Sequence, residues 1–370
     1  MRTTKLALYG AVFFSLCVHS SWADQLVLPP GFNELATAEA QANSKPGPRT
    51  TMNHVVPVPT QEVSTNIQAL IAAPFPPHMV AAPADAAAWK ELIDRRAALT
   101  ASIVPAMKEK FGVTVEPTTI AGVKAYIVTP KTIPEANQHR LLVHVHGGGY
   151  VFGPGIAAAP EAILMAGFGG FKVISVDYRM PPDFPYPAAM DDAMAVWREA
   201  VKMENPRNMA IFGTSTGGGM TLAMVLRART EGLPLPAAIA PGTPWSDLTN
   251  TGDTYHTNEF VDNILVTWDG WLGRAAYLYA NGHDLKDPQL SPIYGDFHGF
   301  PPTILTSGTR DLFLSNTVRT HRALRRAGAI AELNVYEGQS HAQYGSDMNA
   351  PETEEAFTDI ARFFDTYLGK

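Results

Sequence analysis

The apolar run Met209-Ala210-Ile211-Phe212 ends in Gly213-Thr214-Ser215-Thr216-Gly217, and a helical pattern follows. This is G-x-S-x-G between a strand and a helix, a context that demands one sharp turn with a serine at its tip. A serine hydroxyl is a weak nucleophile and reacts only when it is held out toward a base. The turn that does this strains the serine and crowds its neighbours. Gly213 and Gly217 lack the Cβ atoms that would keep strand and helix apart. Met220, Leu222, Val225 and Leu226 then give the helix an apolar face. The bland alternative is a glycine-rich turn with an incidental serine.

A second stretch weighs against the bland alternative. Leu141-Leu142-Val143-His144-Val145 reads as a buried strand running into His146-Gly147-Gly148-Gly149-Tyr150. Acyl transfer needs backbone N–H groups aimed at the oxygen that turns negative in the tetrahedral intermediate. Glycines after a strand let the chain turn its amides outward, with His146 holding the loop by a hydrogen bond. A phosphate-binding turn is the competing reading, but neither G-x-G-x-x-G nor G-K-[ST] spacing is present.

With both motifs on the page, the chain resembles the hormone-sensitive-lipase-like esterases of the α/β-hydrolase superfamily. The match rests on His146-Gly147-Gly148-Gly149, on Gly213-Thr214-Ser215-Thr216-Gly217, and on the run from Val176 to Ala188. That run is similar to the family's D-Y-R-L-A-P-E-x-P-F-P-A segment. The resemblance spans Thr114 to the C-terminus. Two positions depart from the common pattern: Thr214 stands where the family often has Asp, and Thr216 where it often has Ala. The resemblance implies an α/β-hydrolase fold, a mostly parallel sheet with helices on both faces and a helical cap. It also implies hydrolysis of short to medium acyl esters without a cofactor.

The family order along the chain is serine, acid, histidine. Strand Thr303 to Thr306 runs into Ser307-Gly308-Thr309-Arg310-Asp311, and strand Leu333 to Tyr336 into Glu337-Gly338-Gln339-Ser340-His341. Both match the family's acid and base positions, so Asp311 and His341 join Ser215. His298 precedes the acid, and His321 lies inside the helical stretch Asn316 to Ala327. Asp284, Asp287, Asp296 and Glu337 compete with Asp311; Asp296 precedes a strand, and Glu337 is too near His341 in sequence to reach round its ring. Gly147, Gly148, Gly149 and Thr216 are the expected oxyanion donors. His144 and His146 form H-x-H, but no third ligand follows at a telling distance, so no metal is expected. Asp177 and Arg179 read as a structural ion pair or turn contact.

The remaining chain frames this site. Net charge is −7, and no basic tract is present, which argues against a nucleic-acid partner. Arg2 and Lys5 precede the apolar run Leu6 to Val18, and Ser21-Trp22-Ala23 offers small residues for cleavage after Ala23. This reads as a secretory leader, hence a periplasmic or secreted protein, since the run is short for a membrane anchor. Cys17 is the only cysteine and falls within the leader. Ten prolines between Pro29 and Pro83 favour an extended arm, with one helical pattern at Phe32 to Ala42. From Ala84 to Lys110, Trp89, Leu92, Ile93, Leu99 and Ile103 recur at helix spacing, with Pro105 a site for a kink. Residues 24–112 are thus an arm and cap helices, the cap assignment resting on the resemblance.

From Val113 strands dominate: Val113 to Val115 with Lys124 to Val128, then Leu141 to Val145, Lys172 to Val176, Met209 to Phe212 and Ala237 to Ala240. A crossover helix runs from Ala188 to Met203, with Ala193, Val196, Trp197 and Val201 inward. Apolar strands alternating with helices predict a mostly parallel sheet, covered on both faces, over residues 113–370. Pro241 to Asp287 interrupts the rhythm as a largely helical stretch. Its aromatics, including Trp245, Phe260, Trp268, Trp271 and Tyr277, suggest a second cap segment. Tyr150, Trp268 and Trp271 are the candidate walls of a pocket for a small-molecule ester. No stretch after the leader predicts stable membrane insertion. The same motifs would serve a lactone, a polyester fragment or an amide. Outside catalysis, the rival is a hydrolase-fold protein that only binds.

Overall fold

Residues 55–76 and 79–369 are described by the computed structural model. The leader at 1–23 and the helical pattern at 32–42 lie outside the described residues. The frame is an eight-stranded sheet in the order β1-β2-β4-β3-β5-β6-β7-β8. Strands β1 (Val113–Ile120) and β2 (Val123–Pro130) form an antiparallel hairpin, and β2 pairs antiparallel with β4 (Lys172–Val176). From β4 onward every pairing is parallel, through β3 (Leu141–Val145), β5 (Met209–Thr214), β6 (Ala238–Gly242), β7 (Thr303–Gly308) and β8 (Ala331–Tyr336). All five residues of β3 are buried, as a parallel strand covered on both faces requires.

Alternation along the strands divides the core in two. Leu142, Val173, Ala210 and Phe212 pack with helices α3 (Pro160–Gly169) and α9 (Pro351–Tyr367). Val143, Val145, Ile174 and Ile211 face α4 (Ala188–Met203) and α5 (Thr216–Thr230) on the other side. On α4, Ala193, Val196 and Trp197 are fully buried, while Val201 is half-buried.

Two helices precede the sheet. Helix α1 (Thr65–Ala72) was not expected in the proline-rich arm; Ser64 caps it, and the Ser64 amide and hydroxyl both donate to Glu352, at 2.6 and 2.7 Å. Ile67 and Ile71 pack with Val63 and Ala350 in a small separate cluster. Helix α2 (Ala86–Phe111) runs unbroken through Pro105. Its buried stripe differs from the expected one. Leu99 and Ile103 are 67% and 51% exposed, and Val104 and Met107 are buried in their place. A long helix that meets two different partners shifts its inward face along its length.

The segment 241–287 is largely irregular, not largely helical. Its regular parts are α6 (Thr254–Thr257), a π-turn at Trp268–Leu272 and α7 (Gly273–Ala280). Side chains here capture backbone amides that a helix would use: Asp262 accepts from Ile264 and Leu265, and Thr267 from Asp269. Phe260 and Tyr277 are 58% and 60% exposed, with the Phe260 ring 6.4 Å from that of Phe75. Helix α8 (Leu314–Arg326) follows the loop after β7. No helix among the described residues is long and apolar enough to cross a membrane.

Candidate active site

The turn between β5 and α5 places Ser215 at φ 65°, ψ −121°, a conformation L residues seldom adopt. Neighbouring chains hold it there. The Ser215 amide donates to Gly242 O at 2.9 Å, and the Trp245 amide donates to Ser215 O at 2.8 Å. Strand and helix pass so closely that a Cβ on Gly213 or on Gly217 would lie 2.0 Å from Val145 O. The glycines of the motif are therefore a steric requirement of the turn.

The loop after β3 lies over this turn. Gly148 and Gly149 take φ values of 121° and 65°, where side chains are disfavoured. Their amides, with those of Gly147 and Thr216, find no acceptor among the described residues. The His146 Nδ1–H donates to Gly147 O at 2.7 Å, and its ring stacks on Tyr178 with centroids 4.1 Å apart. Burial pulls the His146 pKa down to about 3 with His144 adding to the shift, so the ring is neutral. The Tyr178 hydroxyl donates to His146 O at 2.6 Å, fixing the loop from below.

His341 and Asp311 meet across the ends of β8 and β7. His341 Nδ1 lies 2.9 Å from Asp311 Oδ1, with both residues buried. The Asp311 carboxylate is held by the Phe313 amide (2.8 Å to Oδ1) and the Ser307 hydroxyl (2.8 Å to Oδ2). Bonded to an anion, Nδ1 carries the proton, which leaves a lone pair on Nε2. That Nε2 is buried and has no partner among the described residues. The Thr243 hydroxyl lies 2.6 Å from the same Nδ1, as a second acceptor, on a backbone with φ 30°. Of the competitors, the acid Asp296 bonds the exposed His298, and the alternative base His321 has its Nε2 spent on Ala331 O.

Four residues outside any motif brace the acid and histidine loops. The Asn258 amide group donates to Thr309 O at 3.1 Å and to Asp311 O at 3.0 Å. The fully buried Asp262 accepts from the Leu312 amide at 2.9 Å, as well as from Ile264 and Leu265. Burial and the nearby Asp311 charge raise its pKa to about 6. Asn263 accepts from Gln343 Nε2 at 3.0 Å, and Gln343 in turn accepts from the Ser340 amide at 2.8 Å, next to His341. Asn263 also donates to Leu70 O and Ala73 O, capping the C-terminal end of α1. None of these roles was legible in the sequence, because single polar residues in an irregular segment carry no pattern.

Ser215, His341 and Gly147–Gly149 line one cavity of about 300 Å³. Its walls are otherwise mainly apolar, from Met79, Phe152, Leu164, Ile264, Leu265 and Trp271. Two expected wall residues are elsewhere. Tyr150 is buried against Tyr279 with ring centroids 3.6 Å apart, and Trp268 meets Trp245 and Tyr255 edge-on. Trp271 alone of the three lines the cavity. Glu161 also borders it, with Oε2 3.0 Å from His144 Nε2 and Oε1 receiving the Thr214 hydroxyl at 2.6 Å. A larger cleft of about 540 Å³, bordered by Lys90, Lys124, Asp177 and Arg179, holds no serine, cysteine or histidine. Asp177 and Arg179 do not pair. Asp177 receives the Gly155 amide, and Arg179 binds Asp192. No cluster of three or more His, Cys, Asp or Glu suited to a metal occurs among the described residues.

Known proteins share this fold. Residues 142–345 match a family profile described as alpha/beta hydrolase fold. An acetyl-hydrolase of Streptomyces hygroscopicus is 29% identical over 238 residues, covering 64% of this chain and 79% of its own. An esterase of Acinetobacter venetianus is 27% identical over 252 residues, covering 68% and 82%. Among solved structures, the esterase E25 superposes with a TM-score of 0.83 at 40% identity, over 86% of this chain and 98% of its own. An esterase from the bacterial hormone-sensitive lipase family superposes with a TM-score of 0.65 at 27% identity, over 71% and 90%.

Proposed function

The chain belongs to the α/β-hydrolase family, among esterases of the hormone-sensitive-lipase type, and on that premise we propose a serine carboxylic-ester hydrolase acting on short to medium acyl esters. Ser215 Oγ attacks the ester carbonyl while His341 Nε2 takes its proton. Asp311 keeps the proton on Nδ1 and stabilises the imidazolium that forms. The carbonyl oxygen turns negative against the amides of Gly147, Gly148 and Thr216, with Gly149 completing the loop. The imidazolium then protonates the leaving alcohol. Water repeats the cycle on the acyl-enzyme and releases the acid.

One observation supports this reading above the rest. The imidazole is anchored at Nδ1 and unpartnered at Nε2, and it borders the same cavity as Ser215 and as Gly147, Gly148 and Gly149, whose amides find no acceptor among the described residues. A buried lone pair without a partner is costly in a folded protein, and a reaction in which it takes the serine proton accounts for it. The cavity of about 300 Å³ lies at the small end of ligand pockets, in keeping with short acyl chains. The relative named acetyl-hydrolase points the same way. The leader reading places the work outside the cytoplasm, and N-terminal sequencing of the exported protein would find Asp24 first.

Ser215→Ala tests the proposal. It should abolish 4-nitrophenyl acetate hydrolysis while leaving the thermal transition in place. Retained turnover would overturn it.

A further inference from the structure

On helix α2, Trp89, Leu92 and Ile93 turn inward, and the next position on that stripe, one turn on, is Arg96. A charged residue where the pattern calls for an apolar one needs a physical reason. Arg96 borders the cavity of Ser215 and His341. Its guanidinium carbon lies 4.4 Å from the centre of the Phe152 ring, three residues beyond Gly149. Its one polar contact among the described residues is weak: Nη1 to the Met79 thioether at 3.7 Å. No carboxylate among the described residues lies within ion-pair distance of it, unlike Arg140, Arg179, Arg227 and Arg319. Partial withdrawal from water lowers its pKa, with no anion to offset the shift.

A guanidinium stacked on a ring spends its face and keeps its edge, where five N–H donors lie in one plane. That edge matches a carboxylate two bonds at a time. The other charged group at the cavity, Glu161, has both oxygens occupied by His144 and Thr214. Arg96 is thus the charged group of the cavity with donors to spare.

We infer that Arg96 is a substrate-recognition residue and that the preferred esters carry a carboxylate, as in the half-ester of a dicarboxylic acid. This rests on the reading of Ser215 as an esterase nucleophile and names its substrate class. The guanidinium edge binds the remote carboxylate while the ester carbonyl sits at Ser215. Phe152 holds the guanidinium plane, and Met79 limits its swing.

The test measures kcat/KM for two pairs of neutral and charged isosteres. Mono-4-nitrophenyl succinate against 4-nitrophenyl 4-oxopentanoate places the charge on the acyl side. 4-Acetoxybenzoate against 4-acetoxybenzamide places it on the alcohol side. A charge-assisted bidentate contact predicts a charged-to-neutral ratio of roughly 10 to 100 in one pair, falling to about 1 in Arg96→Met. Arg96→Lys keeps the charge but loses the fork, so its ratio should fall between the two; this variant carries the test if the methionine variant does not fold. A wild-type ratio at or below one in both pairs would overturn the inference, and so would a ratio unchanged in the variants. Ser215→Ala abolishes hydrolysis of all four esters whichever way the ratio falls, so failure of the substrate class is distinguishable from failure of the esterase reading.

Discussion

The two halves of this site are held by different means. Around Ser215 the backbone decides: Gly213 and Gly217 meet Val145 O at distances no side chain allows, and positive φ angles set the loop at Gly148 and Gly149. Around His341 and Asp311, side chains decide. Asn258, Asp262, Asn263 and Gln343 reach from irregular chain to fix two loop ends through hydrogen bonds. The first half is part of the fold. The second is fastened onto it, so damage there should cost activity before it costs structure.

Gly217→Ala probes the first half and carries the largest expected effect. Its new Cβ meets backbone that cannot move aside, so stability should fall by about 3 kcal/mol or more, read from urea denaturation. Asn258→Ala probes the second. With the acid loop released, kcat should drop roughly tenfold to a hundredfold at unchanged KM, with a denaturation midpoint close to wild type. If this variant unfolded as readily as Gly217→Ala, the contrast between the halves would be broken.

Asp262 sharpens the contrast through pH. Its carboxyl titrates near 6 in the fold against an ordinary value of 3.8. The folded state therefore holds a proton between those values that the unfolded state has lost. The resulting stabilisation is full below about 4 and fades as pH rises through about 6. Asp262→Asn has no such proton, so wild-type stability minus variant stability should decline between pH 4 and pH 7 in paired urea titrations. A rising difference would mean that the carboxylate is favoured in place. Thr243→Val is the mildest probe: loss of the second acceptor at His341 Nδ1 should lower kcat roughly threefold, measured on 4-nitrophenyl butyrate.

The same division governs what the sequence made legible. Strands β3 and β4 and helix α4 fall at the expected residues, because parallel strands buried on both faces must be unbroken apolar runs, and a crossover helix must keep one apolar stripe. Ser215 follows the buried apolar strand β5, whereas Asp311 and His341 follow β7 and the half-exposed edge strand β8, so their candidacy leans on the family's order of residues. Helix α1 was hidden among prolines, although Ser64 followed by Ile67 and Ile71 carries a cap and a stripe. Helix α3 lies in a glycine-rich, almost entirely apolar run, which carries no amphipathic pattern to mark it. The aromatic spacing at 245–277 suggested helix and pocket walls, yet Asp262 and Thr267 divert the amides, and stacking on Tyr279 takes Tyr150 out of the cavity. Arg96 is not legible in the sequence, because a stripe on α2 is defined by its apolar members and passes over a charged one.

The most direct measurement is covalent capture. Treated with a fluorophosphonate probe and mapped by peptide mass spectrometry, the wild-type protein should carry one adduct, on Ser215, and His341→Ala should react far more slowly. An unmodified Ser215, or a label on another serine at comparable rate, would contradict a nucleophile held out by strain toward a waiting imidazole.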